Sequence, residues 1–460
     1  MRVQRSRRAG GFEVAGDARG LTGRSGTAAV RELADRIGLT AALSRAAQPC
    51  CPDGAVHDPG AVLRDLIVTL VDGGDDFSAI EVLCGQASLL GAVASDSTAW
   101  RRVADLAGDE LAVTRLEDAR RAARTAAWDA GAAPAAVRDP AAGPLCIDVD
   151  ATLVTAHSVK ESTAGTYKGG YGFHPLLAYL DRGDGTGEGL AGRLRPGNAG
   201  ASTAADHIDV FDSALAVLPD LPDHTRLLVR ADCGGSSKAF LAYLRDAEAM
   251  FSVSVRLTEP IKTAIRTLQR ASSMWTPAIR QDGSVREGAH VAEATGSVDL
   301  DAYPEGTRLL VRREPLHPGA QQTFDDEDGY RFTAFVTDQD DHDLTVLDAR
   351  HRGHARVEQR IRDGKATGLT NLPSADFAIN SIWLQLVLAA QDLFVFFAAL
   401  TLDGELAKAE PKTIRYRLLH VAGRITSSAR RATLHLDRDW PWLDHLLTAF
   451  TRVRALPQPT

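Results

Sequence analysis

Apolar residues recur at helical spacing between residues 27 and 135, in T-A-A-V-R-E-L-A-D-R-I-G-L-T-A-A-L-S-R-A and again in G-A-V-L-R-D-L-I-V-T-L-V-D-G-G-D-D-F-S-A-I-E-V-L-C-G. Asp96, Ser97 and Thr98 offer caps before A-W-R-R-V-A-D-L-A-G, and Leu116 to Trp128 continues as an Ala- and Arg-rich helix. The pattern predicts an all-helical region over residues 1–135. Ala130 to Pro144, rich in Ala, Pro and Gly without periodicity, reads as a linker.

The texture then changes to strand-like alternation. L-C-I-D-V-D-A-T-L-V (Leu145 to Val154), H-P-L-L-A-Y-L-D (His174 to Asp181), T-R-L-L-V-R-A-D-C (Thr225 to Cys233) and F-S-V-S-V-R-L (Phe251 to Leu257) are strand candidates. A helix through S-S-K-A-F-L-A-Y-L-R-D-A-E-A-M falls between the last two, so the order is α/β. Short β-prone runs, H-V-A-E-A-T-G-S-V, T-R-L-L-V-R-R-E and Y-R-F-T-A-F-V-T-D, then occupy a β-rich insertion over residues 262–340. Helix returns from Ala355 to Leu402, which divides the α/β domain into residues 145–261 and 341–402 and leaves 403–460 as a basic helical tail.

A chain of 460 residues, 44% of them hydrophobic, is long enough for two or three domains. The longest apolar stretch, around Trp383 to Leu402, contains Gln385, Gln391 and Asp392 and so reads as a buried helix, not a membrane span. The start, M-R-V-Q-R-S-R-R-A-G-G-F-E-V-A-G, has arginines but no apolar run after them, and a cytoplasmic location without membrane contact is expected. Five cysteines without C-x-x-C spacing argue against a zinc ribbon and a disulfide framework. The net charge of −8 is unfavourable for a nucleic-acid partner, yet arginine clusters in the first thirty residues, at Arg350 to Arg362 and from Lys412 to Arg431, while acids gather near Asp325 to Asp328 and Asp338 to Asp343.

Three carboxylates carry the candidate chemistry. Asp148 and Asp150 lie two apart on a predicted strand and share a face. Asp232 ends an apolar strand just before Gly234 and Gly235, where sites form in open α/β sheets, although an Asp before two glycines also makes an ordinary turn. Glu358, Arg362 and Lys365 share one helix face in H-R-G-H-A-R-V-E-Q-R-I-R-D-G-K, with His351 and His354 on the same stripe. A solvated ion-paired helix is the alternative there. Together the carboxylates are a ligand set for a pair of magnesium ions, hard cations that, about 4 Å apart, activate an attacking hydroxyl and stabilise a leaving oxygen. Lys160, Lys168 and His174 flank the glycine-rich turn T-Y-K-G-G-Y-G-F-H-P, whose Tyr167, Tyr171 and Phe173 are candidates for base stacking.

In these segments, and in E-P-K-T-I-R-Y-R-L-L-H-V-A near the end, the chain resembles bacterial insertion-sequence DDE transposases, in particular the insertion sequence 1380 group within the larger insertion sequence 4 type. The resemblance implies a ribonuclease-H-like catalytic domain carrying the β-rich insertion, with amino-terminal helices that bind DNA. It assigns the triad to Asp150 (alternative Asp148), Asp232 and Glu358, holding two Mg ions for which Mn substitutes. It implies cut-and-paste transposition by strand cleavage and strand transfer at terminal inverted repeats. The implied partners are the double-stranded DNA of element ends and target, with a homodimer in the complex. The class signature of Tyr, two residues, Arg, three residues, Glu, six residues, Lys is kept at Glu358 and Lys365, but His351 and His354 replace its Tyr and Arg. Arg352 or Arg356 then supplies the missing cation to the DNA backbone, with Arg362, Lys168 and Lys365 as further phosphate contacts. Trp275 would stabilise a flipped base, as an insertion-domain Trp does in similar transposases.

Overall fold

The structure is a computed structural model describing residues 15–316, 319, 321, 326–428 and 431–457. The arginines before residue 15, Asp325 and Arg430, counted above among charged clusters, lie outside them.

The longer amino-terminal helices are α1 (Thr27–Arg36), α2 (Leu39–Ala47), α3 (Pro59–Asp72), α4 (Asp96–Ala107) and α5 (Ala112–Ala127). Asp58 caps α3 by accepting the Ala61 amide at 2.8 Å, with Pro59 in the first turn where its missing N–H does no harm. The cap of α4 is Ser95, not Asp96, Ser97 or Thr98. Ser95 has the extended backbone a cap needs and accepts the Thr98 amide, whereas those three residues are already helical.

The α/β strands are β1 (Leu145–Ala151), β2 (Leu176–Asp181), β3 (Gly187–Arg193), β4 (Leu227–Ala231) and β5 (Met250–Val255). Helix α6 (Ala204–Ala216) joins β3 to β4, and α7 (Lys238–Asp246) joins β4 to β5. The β3 strand and α6 have no counterpart among the sequence-predicted elements. G-E-G-L-A-G-R has little intrinsic strand preference, because its glycines serve a close approach instead. A Cβ on Gly189 would stand 2.9 Å from the Gln391 side-chain oxygen.

After α8 (Glu259–Gln269), the segment read as an insertion folds into β6 (Thr276–Ile279), β7 (Val285–Glu293), β8 (Arg308–Pro315) and β9 (Tyr330–Thr337). These strands extend the central sheet. β9 pairs antiparallel with β5, and among the described residues the path runs β6-β7-β8-β9-β5-β4-β1-β2-β3. β1, β4 and β5 are mutually parallel, and β2 is antiparallel to β1.

Then follow α9 (Leu344–Arg352), α10 (Val357–Gly364) and α11 (Phe377–Thr401). α11 is long and apolar enough to cross a membrane, but it lies inside the protein, with Trp383, Phe396 and Phe397 fully enclosed. It packs against β3 on one side and α3, α4 and α5 on others, so helices and sheet share one hydrophobic core.

The expected helical tail is only partly helical. G-R-I-T-S-S and R-A-T-L-H-L form a hairpin of β10 (Gly423–Ser428) and β11 (Arg431–Leu436), and α12 (Leu443–Ala455) follows. Ile425, Leu434 and Leu436 alternate with exposed polar residues, which is strand periodicity. Leu21–Thr22 pairs with β10, so the amino-terminal region is not wholly helical and closes onto the carboxy-terminal one.

Candidate active site

β1 and β4 run parallel with Asp148 opposite Arg230 and Val149 opposite Ala231. The same register, continued one step, brings Asp150 and Asp232 to neighbouring strand ends. Asp150 is largely buried, and burial together with the Asp232 and Glu358 carboxylates pushes its carboxyl up to about 6, against the opposing pull of His354. The three sequence-predicted carboxylates therefore converge. Glu358 lies in the first turn of α10 and is exposed, as is Asp232. Asp150 accepts the Ala151 amide and Asp232 the Gly234 amide, both at 2.7 Å, so each also makes the local turn bond that its strand-end position offers. Among the described residues no three His, Cys, Asp or Glu side chains stand in a ready-made metal cage.

Asp148, the alternative to Asp150, is engaged elsewhere. It is fully buried, and Arg230 clasps it bidentately at 2.8 Å through Nε and Nη2. Arg360 donates to it at 2.9 Å, and His354 Nδ1 lies 3.0 Å away. Burial alone would raise its pKa, but Arg230 and His354 outweigh that and hold it well below the usual carboxylate range. Asp181 completes the cluster, bonding Arg230 at 2.6 Å and Arg360 at 2.8 Å. Sequence reasoning missed Arg230, Arg360 and Asp181. A signal existed, since an arginine inside the apolar strand L-L-V-R-A needs a buried partner.

The two histidines in place of the signature Tyr and Arg have different surroundings. His351 is stacked on Phe335, with ring centroids 4.1 Å apart, and bonds the Ser252 and Ser254 hydroxyls. Burial, then His354 and Arg230, pushes it down to about 3, so it is neutral packing. His354 bridges towards the carboxylates.

The predicted DNA contacts divide. Burial, then the nearby Lys168, lowers the Lys365 pKa, and among the described residues no acidic group figures among the causes acting on Lys365. Arg362 is exposed and without an ion pair among the described residues. Arg356 makes only long contacts, 3.5 Å to Asp181 and to Gln281. Arg352 is partly committed: its Nε bonds Asp348 at 3.0 Å and its Nη2 the Ile279 carbonyl. Trp275 is only 7% exposed; its indole N–H donates to the Leu268 carbonyl at 3.0 Å, and the Arg313 guanidinium covers its face at 4.3 Å. In this arrangement it is a core side chain, not presented to a base. In the glycine-rich turn, Tyr167 and Tyr171 are exposed and Phe173 is buried, while Lys160 bonds the Leu372 carbonyl.

A fold whose strand ends and helix gather two aspartates and a glutamate belongs to a broad class of α/β proteins with carboxylate sites. The family model described as transposase DDE domain group 1 matches residues 7–458, and the chain belongs to that family and is a DNA transposase by class. No curated protein matches it. Among solved structures it is similar to one described as a piggyBac transposase synaptic complex with hairpin DNA, at 9% identity and a TM-score of 0.41 over 85% of this chain and 79% of that one.

Proposed function

We propose that this chain is the transposase of an insertion sequence and performs cut-and-paste transposition, using Asp150, Asp232 and Glu358 to hold divalent metal, Mg or Mn. The insertion sequence 1380 group is the subgroup its motifs resemble. The observation that supports the reading is the placement of Asp150 and Asp232 at the ends of the adjacent parallel strands β1 and β4, with Glu358 near enough that it and Asp232 add to burial in raising the Asp150 carboxyl. The donor set fits hard cations, which bind carboxylate oxygens and whose charge offsets repulsion between neighbouring acids. Bound metal would supply Lewis-acid stabilisation for in-line phosphoryl transfer.

The chain's own residues would then do the following. Asp150 and Asp232 present oxygens from adjacent strand ends, and Glu358 closes over them from α10. Lys168, Lys365 and Arg362, which lack acidic partners among the described residues, would take DNA phosphates beside the carboxylates. The ends of the element and the target would both be double-stranded DNA, and two subunits would bring two ends together. The amino-terminal helices would grip the terminal inverted repeats.

The test is a linear duplex ending in the element's own inverted repeats, incubated with purified protein and Mg. End-specific cleavage, abolished by Glu358→Gln, is expected. No end-specific cleavage, or cleavage undiminished by Glu358→Gln, would sink the mechanism as assigned.

A further inference from the structure

Each of the three converging carboxylates has a member of the buried ionic cluster two residues away: Asp148 before Asp150, Arg230 before Asp232, and Arg360 after Glu358. We infer that Asp148, Arg230 and Arg360 are positioning residues that set the spacing of Asp150, Asp232 and Glu358 and thereby the affinity for divalent metal. This rests on reading those three carboxylates as metal ligands.

The offset has a geometric meaning. Side chains two apart on a strand share a face, so Asp148 and Arg230 form a tier beneath Asp150 and Asp232. The bidentate Asp148–Arg230 pair spans the β1 and β4 strands at their matched register. On α10 the same offset places residues on opposite sides. Arg360 is buried against the sheet and Glu358 is exposed. Anchoring Arg360 to Asp148 and Asp181 therefore fixes the rotation of α10 about its axis, and with it the direction of Glu358. Arg230 also bonds the Arg350 carbonyl at 2.9 Å, which ties the end of α9, and so the approach to α10, to the same tier. Space for this is kept by Gly353, where a Cβ would meet Arg230 Nη1 at 2.2 Å.

Stability does not account for the cluster. Replacing a buried ionic group by well-packed apolar residues is commonly neutral or stabilising. What arginine-carboxylate pairs supply beyond an apolar contact is a fixed distance and angle, because the guanidinium fork meets two oxygens in one plane. Ligand carboxylates need such support, and losing outer partners of a metal site typically weakens metal affinity about 10- to 100-fold.

Arg360→Lys keeps the charge but cannot reach Asp148 and Asp181 together through one planar fork. Binding of Mn to the full chain without DNA, followed by electron paramagnetic resonance of the free ion, is measured beside thermal melting. The variant is expected to fold, to bind Mn about tenfold or more weakly, and to cleave element ends with a lowered kcat at unchanged KM for DNA. Wild-type Mn affinity in a folded Arg360→Lys protein would overturn the proposal and leave the cluster a purely structural one. Should that variant fail to fold, Asp181→Asn, which loosens Arg230 and Arg360 from the far side, is judged by the same criterion. Asp232→Asn and Glu358→Gln are run in parallel. If they leave Mn binding unchanged, the metal-ligand reading fails by itself; if they weaken it while Arg360→Lys does not, only the positioning role fails.

Discussion

Two buried ionic clusters in this protein use the same chemistry for different ends. One joins α5 to β3 and α11: Arg124 bonds Glu188 and Asp392, each at 2.8 Å, and the Val217 carbonyl, while Arg120 bonds Asp392 at 2.9 Å. It fastens the amino-terminal helices to the sheet at the strand farthest from the inserted ones. The other lies under the candidate active site and ties Asp148 and Asp181 to Arg230 and Arg360. Both balance carboxylates with arginines in the interior. Directly above the second stand the acids Asp150, Asp232 and Glu358, which have His354 beside them but, among the described residues, no ion pair with arginine or lysine. The contrast teaches that a buried charge balanced by arginine fixes geometry, whereas acids gathered without arginine mark the candidate chemistry.

The largest expected effect follows from removing the centre of the second cluster. Asp148→Ala leaves Arg230 and Arg360 to share Asp181 alone and takes the carboxylate partner from His354, and a loss of about 3–5 kcal/mol in urea denaturation is expected. Asp150→Ala, two residues on, should cost far less stability and should instead abolish end cleavage. Equal destabilisation by the two would erase the distinction between the tiers. Arg124→Met comes next. It strands Glu188 and Asp392 on their remaining arginines, and about 2–4 kcal/mol is expected to be lost, with Mn affinity of the folded fraction unchanged. A drop in Mn affinity would show that the two clusters are coupled.

How much of this was legible beforehand differs by element. Strands β1, β2, β4 and β5, the α11 helix and the convergence of Asp150, Asp232 and Glu358 follow from alternation, strand-end position and motif spacing. The β3 strand stayed hidden because its glycines serve contact with α11 and not strand preference, and the β10–β11 hairpin because its basic residues read as helix surface. Trp275 and Arg352 read as DNA contacts because a lone side chain's partners are invisible along the chain; their partners, Leu268, Arg313, Asp348 and Ile279, come from elsewhere in the fold. A shared strand face does not distinguish Asp148 from Asp150; their surroundings do, since only Asp148 is clasped by Arg230 and Arg360, which the fold alone brings together.

A pH experiment sharpens the same contrast. Asp150 is raised to about 6 from an ordinary value of 3.8, first by burial and then by its acidic neighbours. Its charged form is therefore disfavoured in the folded protein, and stability is lost as pH rises through the window from about 4 to about 6, by up to about 3 kcal/mol without metal. Asp148 has the opposite sign: its stabilisation is present above the ordinary carboxylate range and is lost only in stronger acid. Denaturation in a chelator should show this decline together with that of Asp363, which burial also pushes up to about 6, and Asp150→Asn should remove the Asp150 share. A decline undiminished in the variant would assign it to Asp363 and not to Asp150.

The smallest effect is expected at the lysine pair. Lys168 and Lys365 repel each other, after burial the second cause of the lowered Lys365 pKa, and a DNA phosphate placed between them would relieve that repulsion. Lys365→Ala should therefore weaken binding of duplex ends by less than about tenfold and reduce the slope of log affinity against log salt by about 1. The effect should be similar for specific and unrelated sequences, because a phosphate contact carries no base information. Arg352→Ala, which removes the bonds to Asp348 and the Ile279 carbonyl, should change that slope less and lower the melting temperature instead. A reversed outcome, with Arg352 controlling the salt slope and Lys365 only stability, would make Arg352 the phosphate contact and Lys365 a structural residue.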